Sequence, residues 1–338
     1  MPLENKKNII ISAGGTGGHI IPAITIGISL ENANVTFTCG KRGIEKRIYE
    51  SFNVTPVLFD FNSFSAISYI LKLPKNLLKS FKLLLSKNPD SVIITGNYTS
   101  VPIGIVSIIL QKKIFTIEQD SLIGKANKLF ARFAYRIFTA YKGPFKYIDN
   151  KKAVYIGHII RDEVRNPMKR ENDINIKTDR KKVLVIGGSQ GALTMTKKII
   201  KILSNHKNYH LIIIAGNNFE MFENSENVTI LPFYRNIGYL YSISDIIIAR
   251  SGALSVAEIS STNKPALFVP LKNSSNDEQK KNAMIFMKKN PQFEIINENE
   301  LCEENLIKKI KKIENLRGNN NNIDSKFFNQ IKIIKNYV

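Results

Sequence analysis

An α/β chain folded as two doubly wound parallel-sheet domains follows from three features of the 338-residue sequence. Short apolar runs recur along its length, and most are continuously apolar rather than alternating, as in strands covered by helices on both faces. Helix-like segments separate these runs, so β and α elements alternate. The two halves also open alike. "IIISAGGTGG" from Ile9 and "VLVIGGSQG" from Val183 are each an apolar strand running into Gly-Gly, a hydroxyl residue and a further glycine.

The expected strands of the first half are "NIIISA", "VTFTCG", "PVLFDF", "SVIITG", "KIFTIEQ", "RIFTA" and "AVYIG". Those of the second are "KVLVIGG", "HLIIIAG", "NVTILPF", "DIIIARSG", "PALFVPL" and "FEIIN". The polar stretch from Arg161 to Lys182 marks the boundary, which gives domains over 1–160 and 161–318 facing each other across a cleft. Residues 319–338 hold the end of the low-complexity "RGNNNN" and an amphipathic closing helix.

Composition narrows the class without naming a function. Hydrophobic residues at 43% and charged residues at 23% suit a soluble globular chain. Cys39 and Cys302 form no metal-ligand or CxxC pattern, so a reduced, cytosolic compartment is expected. No secretory signal is visible, and "VPIGIVSIIL" falls short of the roughly 18 residues of a spanning helix. The net charge of +21 reads either as a residue bias towards Lys, Asn and Ile or as an anionic partner. Nucleic acid, a membrane surface and phosphorylated substrates all fit the second reading.

The glycine loops carry the first chemical signal. A turn between strand end and helix start exposes backbone N–H groups, and glycine lets a ligand come close. Those N–H groups and the helix dipole favour phosphate. Thr16 and Ser189 add hydroxyl donors. Neither loop is a Walker A motif, neither fits GxGxxG, and no acidic residue ends the second strand. His19 sits on the first loop, where doubly wound sheets bind ligands, and is either a base that takes a proton from a hydroxyl nucleophile or a partial helix cap at the surface.

In the second half, "RSGALSVAEISSTNKPALFVPL" places Glu258 early in a helix, either as an acceptor for two sugar hydroxyls or as a partner of the helix dipole. Asp277 and Gln279 lie in a polar segment that either reads sugar hydroxyls or is a solvated loop. In "LPKNLLKSFKLLLSK", Leu77, Leu78, Phe81, Leu84 and Leu85 are expected on one helical face, with Lys75, Lys79 and Lys82 roughly opposite and Pro74 in the first turn. Such a helix either packs on the sheet or lies at an anionic lipid surface.

Taken in order, "AGGTGGHIIPA", "GNYTSVP", "IEQDSLIGKANKLFAR", "IGHIIRDEV", "VIGGSQGAL", "RSGALSVAEI", "PALFVPL" and "DEQKKNA" resemble the MurG family of peptidoglycan N-acetylglucosaminyltransferases over nearly the whole chain. The resemblance implies a GT-B fold and transfer of GlcNAc, with inversion, from UDP-GlcNAc to the MurNAc 4-hydroxyl of lipid I, giving lipid II. It implies no metal and no cofactor. For the donor it implies Ser189 at the diphosphate, Tyr234 at uracil by its backbone, and Ala253, Leu254, Ser255, Val256, Ala257 and Glu258 at ribose and phosphate. Gln279 would read the GlcNAc hydroxyls, with Arg161, Thr16, Gly17, Gly18 and Asp120 also at the donor. Gly14, Gly15, Tyr98 and Thr99 would receive the acceptor's diphosphate, and His19, Asp120 and Glu118 are the candidate catalytic groups.

It further implies a peripheral enzyme on the cytoplasmic face of the cell membrane, touching anionic inner-leaflet phospholipid through Leu77, Leu78, Phe81, Lys75, Lys79 and Lys82, with cell-wall synthesis proteins as further partners. Two departures stand out. Glu118-Gln119-Asp120 replaces the usual Glu-Gln-Asn, and Gly157-His158-Ile159-Ile160-Arg161 replaces Gly-Asn-Pro-Val-Arg. A related glycolipid synthase using diacylglycerol shares the donor motifs but not the first-half ones. A sugar-nucleotide epimerase leaves the basic amphipathic stretch without a purpose. A nucleic-acid binder would need interleaved aromatics that the leucine-rich basic stretches lack. A catalytically dead assembly partner would be expected to have lost His19 or Glu258.

Overall fold

The structure, a computed structural model, describes residues 6–61, 66–143, 148–188, 191–272, 277–316 and 330–338. Contacts divide these into two units, one ending at Ile159 and also holding the C-terminal helix, the other beginning at Ile160. In the first unit the strands are β1 (Lys7–Ser12), β2 (Ala33–Cys39), β3 (Val57–Leu58), β4 (Ser91–Ile94), β5 (Lys113–Glu118), β6 (Arg136–Thr139) and β7 (Ala153–Tyr155). Between them run α1 (Gly17–Ser29), α2 (Gly43–Ser51), α3 (Ala66–Lys87), α4 (Val101–Ile109) and α5 (Lys125–Phe130).

The second unit opens with α6 (Asp162–Arg165) and carries β8 (Lys181–Ile186), β9 (Tyr209–Ile214), β10 (Val228–Leu231), β11 (Ile246–Ala249), β12 (Ala266–Phe268) and β13 (Phe293–Ile295). Its other helices are α7 (Leu193–Leu203), α8 (Ile237–Ile243), α9 (Ala253–Ser261), α10 (Glu278–Met287) and α11 (Glu303–Ile313). Helix α12 (Gln330–Lys335) returns to the first unit, where Tyr337 just beyond it meets Phe138 edge-on at 5.8 Å.

Every apolar run expected as a strand forms one. Among the described residues the sheet orders are β3-β2-β1-β4-β5-β6-β7 and β10-β9-β8-β11-β12-β13, with parallel pairing throughout. Continuous apolarity has the predicted cause, since Ile9, Ile10 and Ile11 of β1 and Val183, Leu184 and Val185 of β8 are all buried. Strand order reverses between β1 and β4 in one unit and between β8 and β11 in the other. At such a switch point the loops leaving adjacent strands diverge and leave a crevice at the carboxyl ends.

Helix α3 corrects two expectations. It starts at Ala66, so Pro74 lies inside it, where it supplies no N–H to the Ile70 carbonyl one turn back. Its leucines also divide between two faces. Leu84 is buried and Leu77 packs against the core of the first unit, whereas Ile67, Leu71, Leu78, Phe81 and Leu85 are exposed. Leu77 therefore belongs to the core rather than to an outward face. No described helix is long and apolar enough to cross a membrane. Cys39 is buried and Cys302 exposed, and both are free thiols.

Candidate active site

Strand β1 delivers its chain into Ala13-Gly14-Gly15-Thr16, and β4 delivers Asn97-Tyr98-Thr99 beside it. The two loops press together so closely that side chains are excluded. A Cβ on Gly14 would stand 2.3 Å from Thr99 Oγ1, and one on Gly15 would stand 2.0 Å from Asn97 Nδ2. Gly15 is also left-handed, at φ +83°, a conformation that glycine adopts at little cost. Helix α1 then starts at Gly17 with Thr16 as its N-cap. Among the described residues no hydrogen bond engages the N–H groups of Gly17 and Gly18, as the first turn of a helix allows. His19 is half-buried in that same turn, Thr16 is half-buried beside it and Gly18 is exposed.

Thr99 is buried, and Asn97 Oδ1 accepts the Thr99 N–H at 3.2 Å. Tyr98 is held from α3, whose Tyr69 hydroxyl donates to the Tyr98 carbonyl at 3.0 Å. Below the glycine loop, Glu45 Oε1 accepts the Gly15 N–H at 2.7 Å and Arg42 Nη1 donates to the Gly15 carbonyl at 3.1 Å. Arg42 and Glu45 lie in none of the quoted motifs, and Asn97 and Asn127 lie within two of them without a role assigned. Glu45, an acidic residue in the first turn of a short helix, looks like a dipole partner until the fold shows it buried.

Glu118 ends β5 with 3% of its surface exposed. Oε1 accepts the Asp120 N–H at 3.1 Å, while Oε2 accepts the Gly124 N–H at 2.7 Å and the Asn127 amide at 3.0 Å. Burial, and then the neighbouring Asp120 charge, pushes its carboxyl up to about 7. Three donors on one buried carboxylate make it the organiser of the 118–127 turn. Asp120 is half-buried at the turn's start. Gln119 Oε1 accepts the Ile159 N–H at 2.9 Å. His158, in the departure from the family pattern, is buried edge-on to Tyr141, and desolvation lowers it to about 4, which keeps it neutral.

In the second unit the loop after β8 passes through Gly187 and Gly188; Ser189 lies outside the described residues. Gly191, at φ +79°, packs so tightly that a Cβ would meet the Ala215 carbonyl oxygen at 2.0 Å. Helix α9 supplies the other loop of the switch point. Ala253, Leu254, Val256 and Ala257 are buried and Ser255 half-buried, so this stretch offers a ligand mainly its backbone. Among the described residues no backbone hydrogen bond engages the N–H groups of Ala253, Leu254 and Ser255.

Glu258 follows one turn on and is locked to Arg161, with Nε to Oε1 at 2.7 Å and Nη2 to Oε2 at 2.6 Å. Both side chains are buried. Burial opposes the Arg161 charge, yet the Glu258 carboxylate raises the guanidinium above its ordinary range. Each Glu258 oxygen keeps a second lone pair for a hydroxyl donor. The Tyr234 hydroxyl donates to Asp173 Oδ1 at 2.7 Å and accepts the Ile174 N–H at 3.0 Å, which ties its side chain to the segment before β8. Gln279, on α10, accepts the Leu271 N–H at 3.0 Å. Among the described residues no three His, Cys, Asp or Glu side chains gather to hold a metal ion.

Two doubly wound parallel-sheet units, each with a glycine-bearing strand-to-helix turn at its switch point, are the architecture of the GT-B fold. The glycosyltransferase family 28 N-terminal domain matches residues 9–139, and the family 28 C-terminal domain matches residues 182–336. The UDP-N-acetylglucosamine–N-acetylmuramyl-(pentapeptide) pyrophosphoryl-undecaprenol N-acetylglucosamine transferase of Sulfurihydrogenibium sp. is 31% identical over 315 residues, covering 90% of this chain and 89% of that protein. The transferase of the same name from Finegoldia magna is 30% identical, again over 90% of this chain and 89% of the relative. The chain belongs to this family of glycosyltransferases. Acinetobacter baumannii MurG, at 20% identity, shares the fold with a TM-score of 0.65 over 98% of this chain and 99% of that one. Neisseria meningitidis UDP-GlcNAc 2-epimerase shares it at 14% identity with a TM-score of 0.69, over 97% of this chain and 98% of that one. The fold alone thus fits transferase and epimerase equally, and the relatives in sequence separate them.

Proposed function

We propose that the protein moves GlcNAc from UDP-GlcNAc to the MurNAc 4-hydroxyl of lipid I, forming lipid II in peptidoglycan synthesis. The observation that carries the mechanism is His19, half-buried in the first turn of α1 beside two unengaged N–H groups. The acceptor oxygen attacks the anomeric carbon, the bond from that carbon to the UDP oxygen breaks, and configuration inverts. The acceptor's proton passes to His19, with Asp120 beside the acceptor sugar and Glu118 holding the turn that carries Asp120. Gly14, Gly15, Tyr98 and Thr99 seat the acceptor's diphosphate.

The departing UDP carries the developing charge. The N-terminus of α9, with Ser189, stabilises it without a metal, since a helix N-terminus in place before reaction needs no reorganisation. Glu258, oriented by Arg161, takes the ribose hydroxyls; the Tyr234 backbone takes uracil and Gln279 the GlcNAc hydroxyls.

The exposed stripe of α3 supports a peripheral position on an anionic inner leaflet, with the cytoplasmic face as the side where UDP-GlcNAc is available. Leu78 and Phe81 enter the lipid, and Lys75, Lys79 and Lys82 meet headgroups. The test supplies labelled UDP-GlcNAc with lipid I or diacylglycerol in anionic vesicles. Label is expected on lipid I alone, and His19→Ala should lower kcat by about 10² to 10⁴. Label on diacylglycerol alone would overturn the acceptor assignment.

A further inference from the structure

We propose that Glu45, assisted by Arg42, is the positioning residue of the first glycine loop: it clamps the Gly15 peptide and so sets the direction of the N–H groups and of His19 that follow. The inference rests on reading that loop as part of the acceptor and transfer site.

The geometry is unusual for a carboxylate. Glu45 lies in the first turn of α2, yet its side chain is turned inward and fully buried. It meets the loop at a single backbone group, the Gly15 N–H at 2.7 Å. Arg42 Nη1 holds the other side of the same residue through its carbonyl at 3.1 Å. The chain has also made room for the carboxylate, because a Cβ on Gly40 would stand 2.6 Å from Glu45 Oε2. From above, Asn97 closes on Gly15, and Tyr49 donates to the Ala13 carbonyl at 3.0 Å. The Gly15 backbone is therefore held through its N–H by Glu45 and through its carbonyl by Arg42, with Asn97 and Tyr49 closing on the same turn.

Burial of a carboxylate is costly, and burial pushes the Glu45 carboxyl above its ordinary value against the opposing Gly15 N–H and Arg42 charge. An apolar residue could fill this volume without that cost. What it could not do is accept the Gly15 N–H, which would otherwise be a buried, unpaired donor in a left-handed residue. With that N–H turned back to Glu45, the neighbouring donors at Gly17 and Gly18 stay available at the helix start. A loop of four glycines within five residues has little stiffness of its own, so an external clamp is what gives it one conformation.

The experiment compares Glu45→Ala, Glu45→Gln and Arg42→Ala in the full chain by three readouts. Hydrogen exchange of the peptide spanning residues 12–20 reports loop order without any substrate. Steady-state kinetics with lipid I in vesicles reports transfer, and calorimetry with UDP reports the second unit. Glu45→Ala is expected to speed loop exchange and to lower kcat/KM for lipid I, each by at least about tenfold, with UDP affinity within about threefold of wild type. Arg42→Ala shifts both in the same direction by less, and its half-buried side chain makes it safe for folding. Glu45→Gln keeps an oxygen that accepts the Gly15 N–H and is expected to recover exchange and kcat/KM to within about threefold.

Unchanged loop exchange in Glu45→Ala would overturn the clamp. So would a Glu45→Gln as impaired as Glu45→Ala, or a UDP affinity that falls in step with turnover. A wild-type chain that leaves lipid I unlabelled would instead overturn the proposed acceptor, and hydrogen exchange would still decide the clamp.

Discussion

At the scale of single residues, Glu118 shows how much of a side chain's surroundings its place in the sequence leaves out. The resemblance makes it a candidate catalytic group, and the folded chain surrounds its buried carboxylate with three donors. No sequence pattern reveals that Asn127 and the Gly124 N–H close on it, because both contacts depend on how the 118–127 turn folds. The same holds for Arg161 and Glu258, each expected at the donor, whose mutual ion pair appears only once α6 and α9 are packed in one unit. Glu118 also carries a pH dependence. Its carboxyl binds a proton more tightly in the folded chain, at about 7, than at the ordinary 4.5 of an unfolded one. Between those values the native state holds more protons, so unfolding free energy should fall as pH rises through this window. Urea unfolding of wild type and Glu118→Gln across about pH 5 to 8 checks it: the variant should lose this component of the slope. Equal slopes in the two proteins would mean that Glu118 is ionised throughout.

Among the elements, strands were fully legible and α3 was not. Every apolar run became a strand because a strand buried on both faces needs only apolarity over a few residues, and sequence displays that directly. Helix α3 hid its inner face by placing polar residues there. Asn76 and Ser80 are buried, and a hydrophobic count takes them for the solvent side. The fold satisfies them locally: Asn76 Oδ1 accepts the Asp60 N–H at 2.9 Å, its amide donates to the Lys72 carbonyl at 3.1 Å, and the Ser80 hydroxyl donates to the Asn76 carbonyl at 2.8 Å. Asn76 is thus the pin between α3 and the end of β3. Asn76→Ala should destabilise the chain by about 1–3 kcal/mol, since it strands the Asp60 N–H and leaves a small void. Chemical denaturation measures this directly, and a loss below about 0.5 kcal/mol would show that water replaces the amide.

For the whole molecule the open matter is the charge of +21, which composition leaves divided between residue bias and an anionic partner. The structure gives the two contributions on α3 different weights. Lys75 lies 3.4 Å from Asp60, and Lys79 donates to the Leu58 carbonyl at 2.7 Å while standing over the Phe59 ring. Two of its three expected headgroup lysines therefore have partners inside the protein. A free lysine near an anionic surface contributes about 1 kcal/mol, and these contribute less. The apolar stripe is not compensated in this way: Ile67, Leu71, Leu78 and Leu85 each expose more than half of their surface. Burying one such side chain in lipid is worth about 1.5–3 kcal/mol. Vesicle co-sedimentation should then show Leu78→Glu with Phe81→Glu weakening binding more than the triple Lys75→Ala, Lys79→Ala, Lys82→Ala variant. Wild type should also keep part of its binding at about 0.5 M salt, where screening shortens electrostatic reach to a few ångströms. Binding that vanishes at that salt, together with a glutamate pair that binds as wild type does, would assign the attraction to diffuse positive charge and remove α3 from the membrane contact.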